Sequence, residues 1–417
     1  MSAFAQQIQE ADREHIWQMP LSEIDVSDPR LHQQDTVGLY FERLRQEAPV
    51  HLGQSTRFGR YWSLTRYADI MQAEINHNVF SSEPTITILD REEKYRRPNF
   101  ISMDPPRHDE QRKVVSPIVA PANLARMEQT IRERTCNVLD SLPRNIEFDW
   151  VEKVSVELTT LMLATLFDFP LEDRKLLTYW SDVATADLEA GGPIDSEEKR
   201  MKELGHCLEY FTRIWNDRVN AEPGPDLISM LAHGEATRNM GPREFLGNLV
   251  LLIVGGNDTT RNSMSGSVVA LNQNPDEWAK LKNNPGLIPG SFVPEVIRWQ
   301  TPLAHMRRTA KENTEISGCK IAAGDKVIMW YLSANRDDAA IENPYDFIID
   351  RARPRQHISF GFGIHRCVGN RLAELQLKIL WQEVLKRFDR IEMVSEPTRT
   401  YSNFVHGWTR VPVRIPG

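Results

Sequence analysis

Apolar residues at helical spacing dominate the middle of the chain. From about residue 109 to residue 275 they recur with the period of an α-helix over long stretches. Proline and glycine interrupt these stretches at Pro143, Pro170, Gly191-Gly192-Pro193 and Pro223-Gly224-Pro225. The pattern therefore predicts a body of several long helices that end at these positions.

Shorter elements flank this helical body. Residues 1–35 show no clear periodicity, and we expect an irregular segment there. Between about 301 and 333 the pattern changes to short strands. Helices are predicted over Val37–Glu47 and Arg66–Glu74, and strands near Val50–Leu52, Tyr61–Leu64 and Lys326–Trp330. A large helical part with a smaller sheet-rich part is a mainly α, α+β class of fold.

Composition excludes several classes of protein. The 417 residues carry 50 Lys plus Arg and 58 Asp plus Glu, a net charge of -8, which argues against a nucleic-acid-binding protein. The four cysteines are far apart, so neither a disulfide framework nor a zinc site is indicated, and a reducing cytoplasm fits best. No signal-like apolar region opens the sequence, and the apolar run 249–254 is too short to cross a bilayer. We expect a cytoplasmic protein with no stable membrane anchor.

The segment from Phe360 to Gly369, with the sequence FGFGIHRCVG, carries the clearest chemistry. Its glycines permit positive φ or a close approach of the backbone to a flat ring. An apolar stripe at helical spacing follows Cys367 at once, so the sulfur is expected at a helix N-terminus, where the dipole lowers a thiol pKa. Phe360 is placed to shield that sulfur from water. The segment favours a loop that presents one thiolate to a metal, although a buried structural cysteine is the commoner fate of a lone Cys.

The longest predicted helix begins after Gly241-Pro242 and ends before Pro275, about 30 residues or roughly 45 Å. Two adjacent glycines, Gly255 and Gly256, lie inside it, each at a cost of about 1 kcal/mol relative to alanine. Such a cost indicates a need for room beside the helix. Asp258 and Thr259 would supply a carboxyl and a hydroxyl there, a pair able to relay protons. The alternative is a glycine kink in a core helix with solvated polar neighbours.

The pattern of Phe360, Gly363, His365, Cys367 and Gly369 resembles the haem-ligand loop of the cytochrome P450 family. A match to the Phe, two Gly, His and Cys of this segment arises by chance at about 10⁻⁷ per start position at average residue usage. The resemblance implies haem b held by Cys367, whose thiolate favours cleavage of an O–O bond. It also implies a monooxygenase.

The resemblance covers nearly the whole chain and implies a cytochrome P450 fold. We expect a single haem domain over 1–417, with an N-terminal β-rich region and substrate loop in 1–100 and a helical body in 101–300. A β-rich return, the haem-ligand loop and the following helix would occupy 301–417. The haem would lie between the long central helix and the cysteine loop.

Two further elements are similar to family motifs. Gly255, Gly256, Asp258 and Thr259 look like the oxygen-binding helix, which implies O₂ as the oxidant. Glu295 and Arg298, which share one helix face, look like the family's structural Glu-x-x-Arg pair. Asp346 stands where the family has the arginine partner of that pair, so Arg351 is a possible substitute.

Haem propionates need cationic or hydrogen-bonding partners. His108 and Arg112, spaced four apart, resemble a family propionate clamp, and Arg308 and His365 are similar to two further contacts. Each of these residues alone is more typical of a solvated surface. Their order along the chain is what favours the haem-binding interpretation.

The segments that line the substrate pocket by resemblance are mostly apolar, which indicates an apolar substrate. Within them we predict pocket roles for Ile86, Ile88, Leu89, Leu251, Val254, Leu303, Met306 and Phe404. The stretches 100–108, 255–262 and 360–377 look like the bacterial alkane and fatty-acid terminal hydroxylases. This implies oxidation of a terminal methyl on a medium-length chain. A terpene or sterol side-chain hydroxylase is the alternative within the family.

Electrons must come from another protein, because no dinucleotide-binding glycine motif is present. By resemblance a ferredoxin and its reductase would serve, and Arg112, Lys113, Arg366 and Arg371 could form a basic patch for it. Two other classes are less consistent with the motifs. A haem sensor without turnover needs no Asp258–Thr259 pair, and a helical interaction protein without a cofactor needs none of the motifs.

Overall fold

The computed structural model describes residues 12–417, and α-helices form most of it. Single π-helical turns lead into two of the helices, over Val151–Val156 and Ile288–Phe292. The helices are α1 (12–18), α2 (Pro29–Gln33), α3 (Val37–Glu47), α4 (Tyr67–Ile75), α5 (Arg107–Val115), α6 (Pro121–Asp140), α7 (Glu157–Phe167), α8 (Lys175–Thr185), α9 (Glu197–Val219), α10 (Leu227–His233), α11 (Pro242–Gln273), α12 (Pro275–Asn283), α13 (Val293–Gln300), α14 (Tyr331–Ala334) and α15 (Asn370–Arg387).

The strands are short and form four small sheets. The largest has the order β1-β2-β8-β5-β3; β2 and β8 are parallel, and its other pairs are antiparallel. The strands are β1 (Val50–Ser55), β2 (Gly59–Leu64), β3 (Phe80–Ser81), β4 (Glu147–Asp149), β5 (Met306–Ala310), β6 (Thr314–Ile316), β7 (Cys319–Ile321), β8 (Lys326–Met329), β9 (Glu392–Met393), β10 (Thr398–Arg399), β11 (Trp408–Arg410) and β12 (Pro412–Arg414). The predicted class, mainly α with a minor β part, is confirmed.

The predicted elements recur with small shifts at their ends. The breaks in the helical body, α3, α4 and the start of α11 lie where the pattern placed them. The irregular segment predicted for 1–35 is wrong over 12–35, where α1 and α2 form, and residues 1–11 lie outside the described part. The signal for α2 is local: Asp28 caps it by accepting from the Arg30 N–H, and Pro29 is its first residue.

Helix α11 is held at both ends by separate apolar clusters. Its first half, including Leu249 and Ile253, packs into a cluster with α7, α8 and α9. Its second half, including Val268, packs with Trp381 of α15, whose indole N–H donates to Ser267 at 2.9 Å. Burying each such large apolar side chain stabilises the fold by about 1.5–3 kcal/mol. The middle of α11 is therefore fixed in space although it borders a cavity.

The Glu295–Arg298 pair lies in the interior. Both side chains are fully buried, and Arg298 Nε lies 2.8 Å from Glu295 Oε2. Arg351 joins the pair, with Nε 3.1 Å from the same oxygen, and Arg298 and Arg351 both donate to the Asp346 carbonyl. Asp346 thus contributes its backbone, and Arg351 supplies the second cation. The network ties α13 to the chain that leads into the Cys367 segment.

No helix in residues 12–417 combines the length and the apolar character that a membrane crossing requires.

We expect Arg351→Met to destabilise the protein by about 1.5–3 kcal/mol, because a charged hydrogen bond to a buried carboxylate is lost. The matched control is Arg355→Met, whose ion pair with Glu374 is largely exposed, so its loss is worth about 0–1 kcal/mol. Denaturant unfolding of the haem-loaded protein measures both. Equal effects of the two substitutions would show that Arg351 is not part of a buried network.

Candidate functional site

A large cavity of about 400 Å³ lies between α11, the segment 84–102 and the loop that carries Cys367. Its walls are mainly apolar. It brings together most of the residues that the sequence singled out: Ile86, Ile88, Leu89, Arg112, Leu251, Val254, Gly255, Gly256, Thr259, Leu303, Met306, Arg308, Phe360, His365, Cys367, Gly369 and Phe404. His108, Asp258 and Gly363 lie behind these walls, and Glu295 and Arg298 lie in the scaffold.

The Cys367 loop owes its shape to glycine. Gly361 and Gly363 have φ of 66° and 65°, in the left-handed region that side chains disfavour. A Cβ on Gly363 would lie 2.4 Å from the Glu74 carbonyl oxygen, so the loop packs directly against α4. The Cys367 N–H donates to the Phe360 carbonyl at 2.8 Å, which closes the loop and turns the sulfur toward the cavity.

Opposing effects act on the pKa of the Cys367 thiol. Burial raises its pKa above the ordinary value, and this is the largest effect. The backbone N–H groups of Gly369 and Asn370 at the start of α15 lower the pKa, as do Arg112 and Arg366, but these effects are smaller. The lowering expected from the helix N-terminus is thus present, and burial acts in the opposite direction. A cation bound to the sulfur favours the thiolate further.

The two glycines of α11 have different neighbours. A Cβ on Gly255 would meet no atom within 4 Å, so this position opens the cavity wall. A Cβ on Gly256 would lie 2.7 Å from Leu163 Cδ2, so this glycine lets α7 pack closely. Thr259 is exposed to the cavity, and its hydroxyl donates to the Gly255 carbonyl at 2.9 Å. Gly255 and Thr259 thus form one wall with room for a small molecule.

Asp258 faces away from the cavity, toward α8. Its fully buried carboxylate accepts hydrogen bonds from Ser181 at 3.0 Å, Thr185 at 3.2 Å, Asn257 at 2.9 Å and Arg261 at 2.9 Å. Sequence spacing alone places Asp258 and Thr259 side by side along the helix and leaves open which way each side chain points. In the structure only Thr259 reaches the cavity, and Asp258 lies one layer behind it.

Two histidines beside the cavity each have a nitrogen without a partner. The rings of His108 and His365 lie 4.1 Å apart between centroids, and His108 Nε2 and His365 Nδ1 are buried with no hydrogen bond. Burial lowers the pKa of both, that of His365 to about 2. Arg112 and Arg308 line the cavity nearby. This group of donors fits an anionic partner such as a haem propionate.

Several polar partners at this end of the cavity were not visible in the sequence. Ser82 Oγ lies 2.8 Å from His365 Nε2, and Glu74 binds Arg308 at 2.6 Å while also accepting from Tyr331. Glu74 lies in α4 and Arg308 in β5, more than two hundred positions apart, so no local pattern signals the pair. The arginines that line the other end of the cavity were missed for the same reason.

The chain belongs to the cytochrome P450 family. The family model described as cytochrome P450 matches residues 290–413. Linalool 8-monooxygenase of Pseudomonas putida is 36% identical over 92% of this chain and 96% of its own length. The family implies a cysteine-ligated haem and a monooxygenase activity, in agreement with the Cys367 loop.

Two further comparisons bear on the kind of enzyme. A methyl-branched lipid omega-hydroxylase of Mycobacterium tuberculosis is 32% identical over 89% of this chain and 90% of its own length. The solved structure of a cytochrome P450-153 from Novosphingobium aromaticivorans superposes with a TM-score of 0.88 at 47% identity, covering 94% of this chain and 99% of that one. The similarity thus runs to bacterial hydroxylases.

Among residues 12–417 no group of three or more His, Cys, Asp or Glu side chains is arranged to hold a metal ion. A haem instead requires one thiolate and partners for its propionates, and Cys367 and the His108–His365 cluster are placed at the cavity for these roles.

Proposed function

We propose that this enzyme hydroxylates the terminal methyl of medium-chain alkanes or fatty acids, with Cys367 as the residue that would hold haem b. One observation carries the proposal: the Cys367 sulfur opens into the same apolar cavity as Gly255 and Thr259. The omega-hydroxylase among the relatives supports oxidation at a chain end.

The proposed roles follow from position. Cys367 would hold the iron, and His108, Arg112, Arg308 and His365 would hold the propionates. Phe360, Gly363 and Gly369 would shape the haem-binding loop. When bound, the haem supplies binding and reductive activation of O₂. The overall reaction consumes the C–H compound, O₂, two electrons and two protons, and yields the alcohol and water.

Thr259 is the residue placed to deliver protons inside the cavity. Its hydroxyl lies beside Gly255, where the wall has room for O₂. Asp258 is buried behind it and binds Arg261, which in turn binds the exposed Asp182 at 3.1 Å. These side chains offer a polar route from the surface toward α11.

The apolar walls favour presentation of a chain end. Leu251 and Val254 from α11 face the same cavity as Leu303, Met306 and Phe404 from the C-terminal third of the chain. Ile86, Ile88 and Leu89 close it from the third side. Such walls bind a hydrocarbon by burial of its surface.

A ferredoxin and its reductase are the proposed electron donors. Lys113, Arg366 and Arg371 are exposed near the Cys367 loop and can attract an acidic partner. Arg112 is only half-buried, and it donates to the Arg366 carbonyl, so it contributes less to this patch than the sequence indicated. The cytoplasmic location predicted from the sequence stays a prediction.

A terpene hydroxylase is the second candidate. The observation that favours it is the 36% identity to linalool 8-monooxygenase.

Product analysis tests the proposal. We expect the haem-loaded enzyme, supplied with ferredoxin, reductase and NAD(P)H, to convert linear chains to terminal alcohols, because the walls admit the chain end first. Alkanes, fatty acids and linalool are compared in one series, and products are identified by mass spectrometry. Oxidation of internal carbons, or turnover of linalool alone, would contradict terminal hydroxylation of linear chains.

A second prediction concerns proton delivery. Thr259→Ala is expected to keep haem and substrate binding but to divert electrons from product to hydrogen peroxide, because the hydroxyl in the cavity is lost. Thr260→Ala, on the same helix and lining the same cavity, is the control. The ratio of product to NAD(P)H consumed measures the effect. Full coupling in Thr259→Ala would remove Thr259 from the proton route.

A further inference from the structure

Three arginines meet at the end of the cavity that lies between the segment 84–102 and α9. Arg91, Arg97 and Arg200 all line the cavity, and Glu197 is the carboxylate beside them. Arg91 lies 3.3 Å from Glu197, and Arg200 also binds Glu197. Arg200 is otherwise satisfied by the carbonyls of Val183 and Ala186. Two cations therefore already share one anion.

Arg97 is the cation left without an ionic partner. Its guanidinium makes one long contact, 3.8 Å from Nη1 to the sulfur of Met201. Among residues 12–417 no Asp or Glu oxygen lies within 4.0 Å of it. Burial together with the neighbouring Arg91 and Arg200 lowers the pKa of Arg97 to about 9, a sign of uncompensated positive charge. Glu197 Oε2 is a buried oxygen without a hydrogen bond, so it is the competing partner within the protein.

We propose that Arg97 binds the carboxylate of the substrate, so that the enzyme acts on fatty acids in preference to alkanes. This inference rests on the proposed terminal hydroxylation, since it assigns a binding residue to the end of the substrate chain that lies opposite the reacting methyl. A substrate carboxylate supplies the anion that this cluster lacks, and a guanidinium binds a carboxylate through two parallel hydrogen bonds.

The distance between Arg97 and the open wall of α11 sets the length of the acyl chain that the substrate needs. The backbone at Arg97 and Pro98 packs against Gly247, near the start of α11, where a Cβ would touch their carbonyls. From Gly247 to the wall formed by Gly255 and Thr259, α11 rises about 12–18 Å. An extended polypeptide advances about 1.2 Å per backbone bond. An extended acyl chain that spans this distance has about eleven to sixteen carbons by the same measure.

The test compares dodecanoate with methyl dodecanoate, which has the same chain without the charge. Binding to the haem-loaded enzyme is followed by the spin-state change and by calorimetry. The wild type should bind dodecanoate more tightly than the ester. Arg97→Gln should weaken the binding of dodecanoate by about ten- to a hundredfold, which is the range expected for a charged hydrogen bond. The same substitution should leave the affinity for the ester unchanged.

Two control variants separate recognition from structure. Arg96→Gln removes a neighbouring arginine that lines the same cavity but is exposed, and dodecanoate should bind as in the wild type. Arg97→Lys keeps the charge and should recover part of the affinity. Equal weakening of acid and ester in Arg97→Gln would assign Arg97 a structural role, through Glu197, and overturn the inference.

The proposed function and this inference fail in different ways. If the wild type binds the ester as tightly as the acid, yet oxidises dodecane at its terminal carbon, the carboxylate site is wrong and terminal hydroxylation stands. If neither dodecanoate nor dodecane is oxidised at its end, the proposed function fails and the inference fails with it.

Discussion

The position of one sulfur atom opposite the middle of α11 is the constraint on which the site depends. The Cys367 N–H is bound to the Phe360 carbonyl, and Gly363 packs on the Glu74 carbonyl where no side chain fits. These contacts fix the loop. On the facing wall, Gly255 has no side chain and leaves space. The sulfur and this stretch of α11 therefore line the same cavity. The family implies that the haem lies between them.

The scaffold holds these two elements by different physical means. Helix α11 is fixed by apolar burial, with one cluster around Leu249 and another around Trp381. The chain leading to Cys367 is fixed by the fully buried charges of Glu295 and Arg298, with Arg351 beside them. Burial of charge is costly unless it is paired and hydrogen-bonded, and here every charge has several partners. Because apolar clusters fix both ends of α11, its middle can contain two glycines and still keep its position.

Local patterns predicted the class of fold, the breaks in the helical body and a set of residues that line one cavity with Cys367. Helix period, proline breaks and the spacing around Cys367 depend on neighbours in sequence. Pairs distant in sequence were not predictable: Glu74–Arg308, Ser82–His365 and the unpaired Arg97 each depend on how separate elements meet. The direction of a side chain was also not predictable, so the sequence spacing of Asp258 and Thr259 could not show that Asp258 points to α8.

The balance of burial against helix dipole could not be read from sequence either. The N–H groups at the start of α15 were predictable from the apolar stripe after Cys367. The extent to which other elements bury the Cys367 sulfur was not predictable. In the structure burial outweighs those donors and raises the pKa of Cys367. A cation on the sulfur stabilises the thiolate, and the family assigns that role to haem iron.

The visible spectrum of the reduced, CO-bound protein tests this assignment most directly. A thiolate ligand at position 367 predicts a strongly red-shifted Soret band in the wild type. It also predicts the loss of that band in Cys367→Ala, with Cys136→Ala unchanged as the control. A histidine-type band in the wild type, or a red-shifted band that survives in Cys367→Ala, would contradict the account.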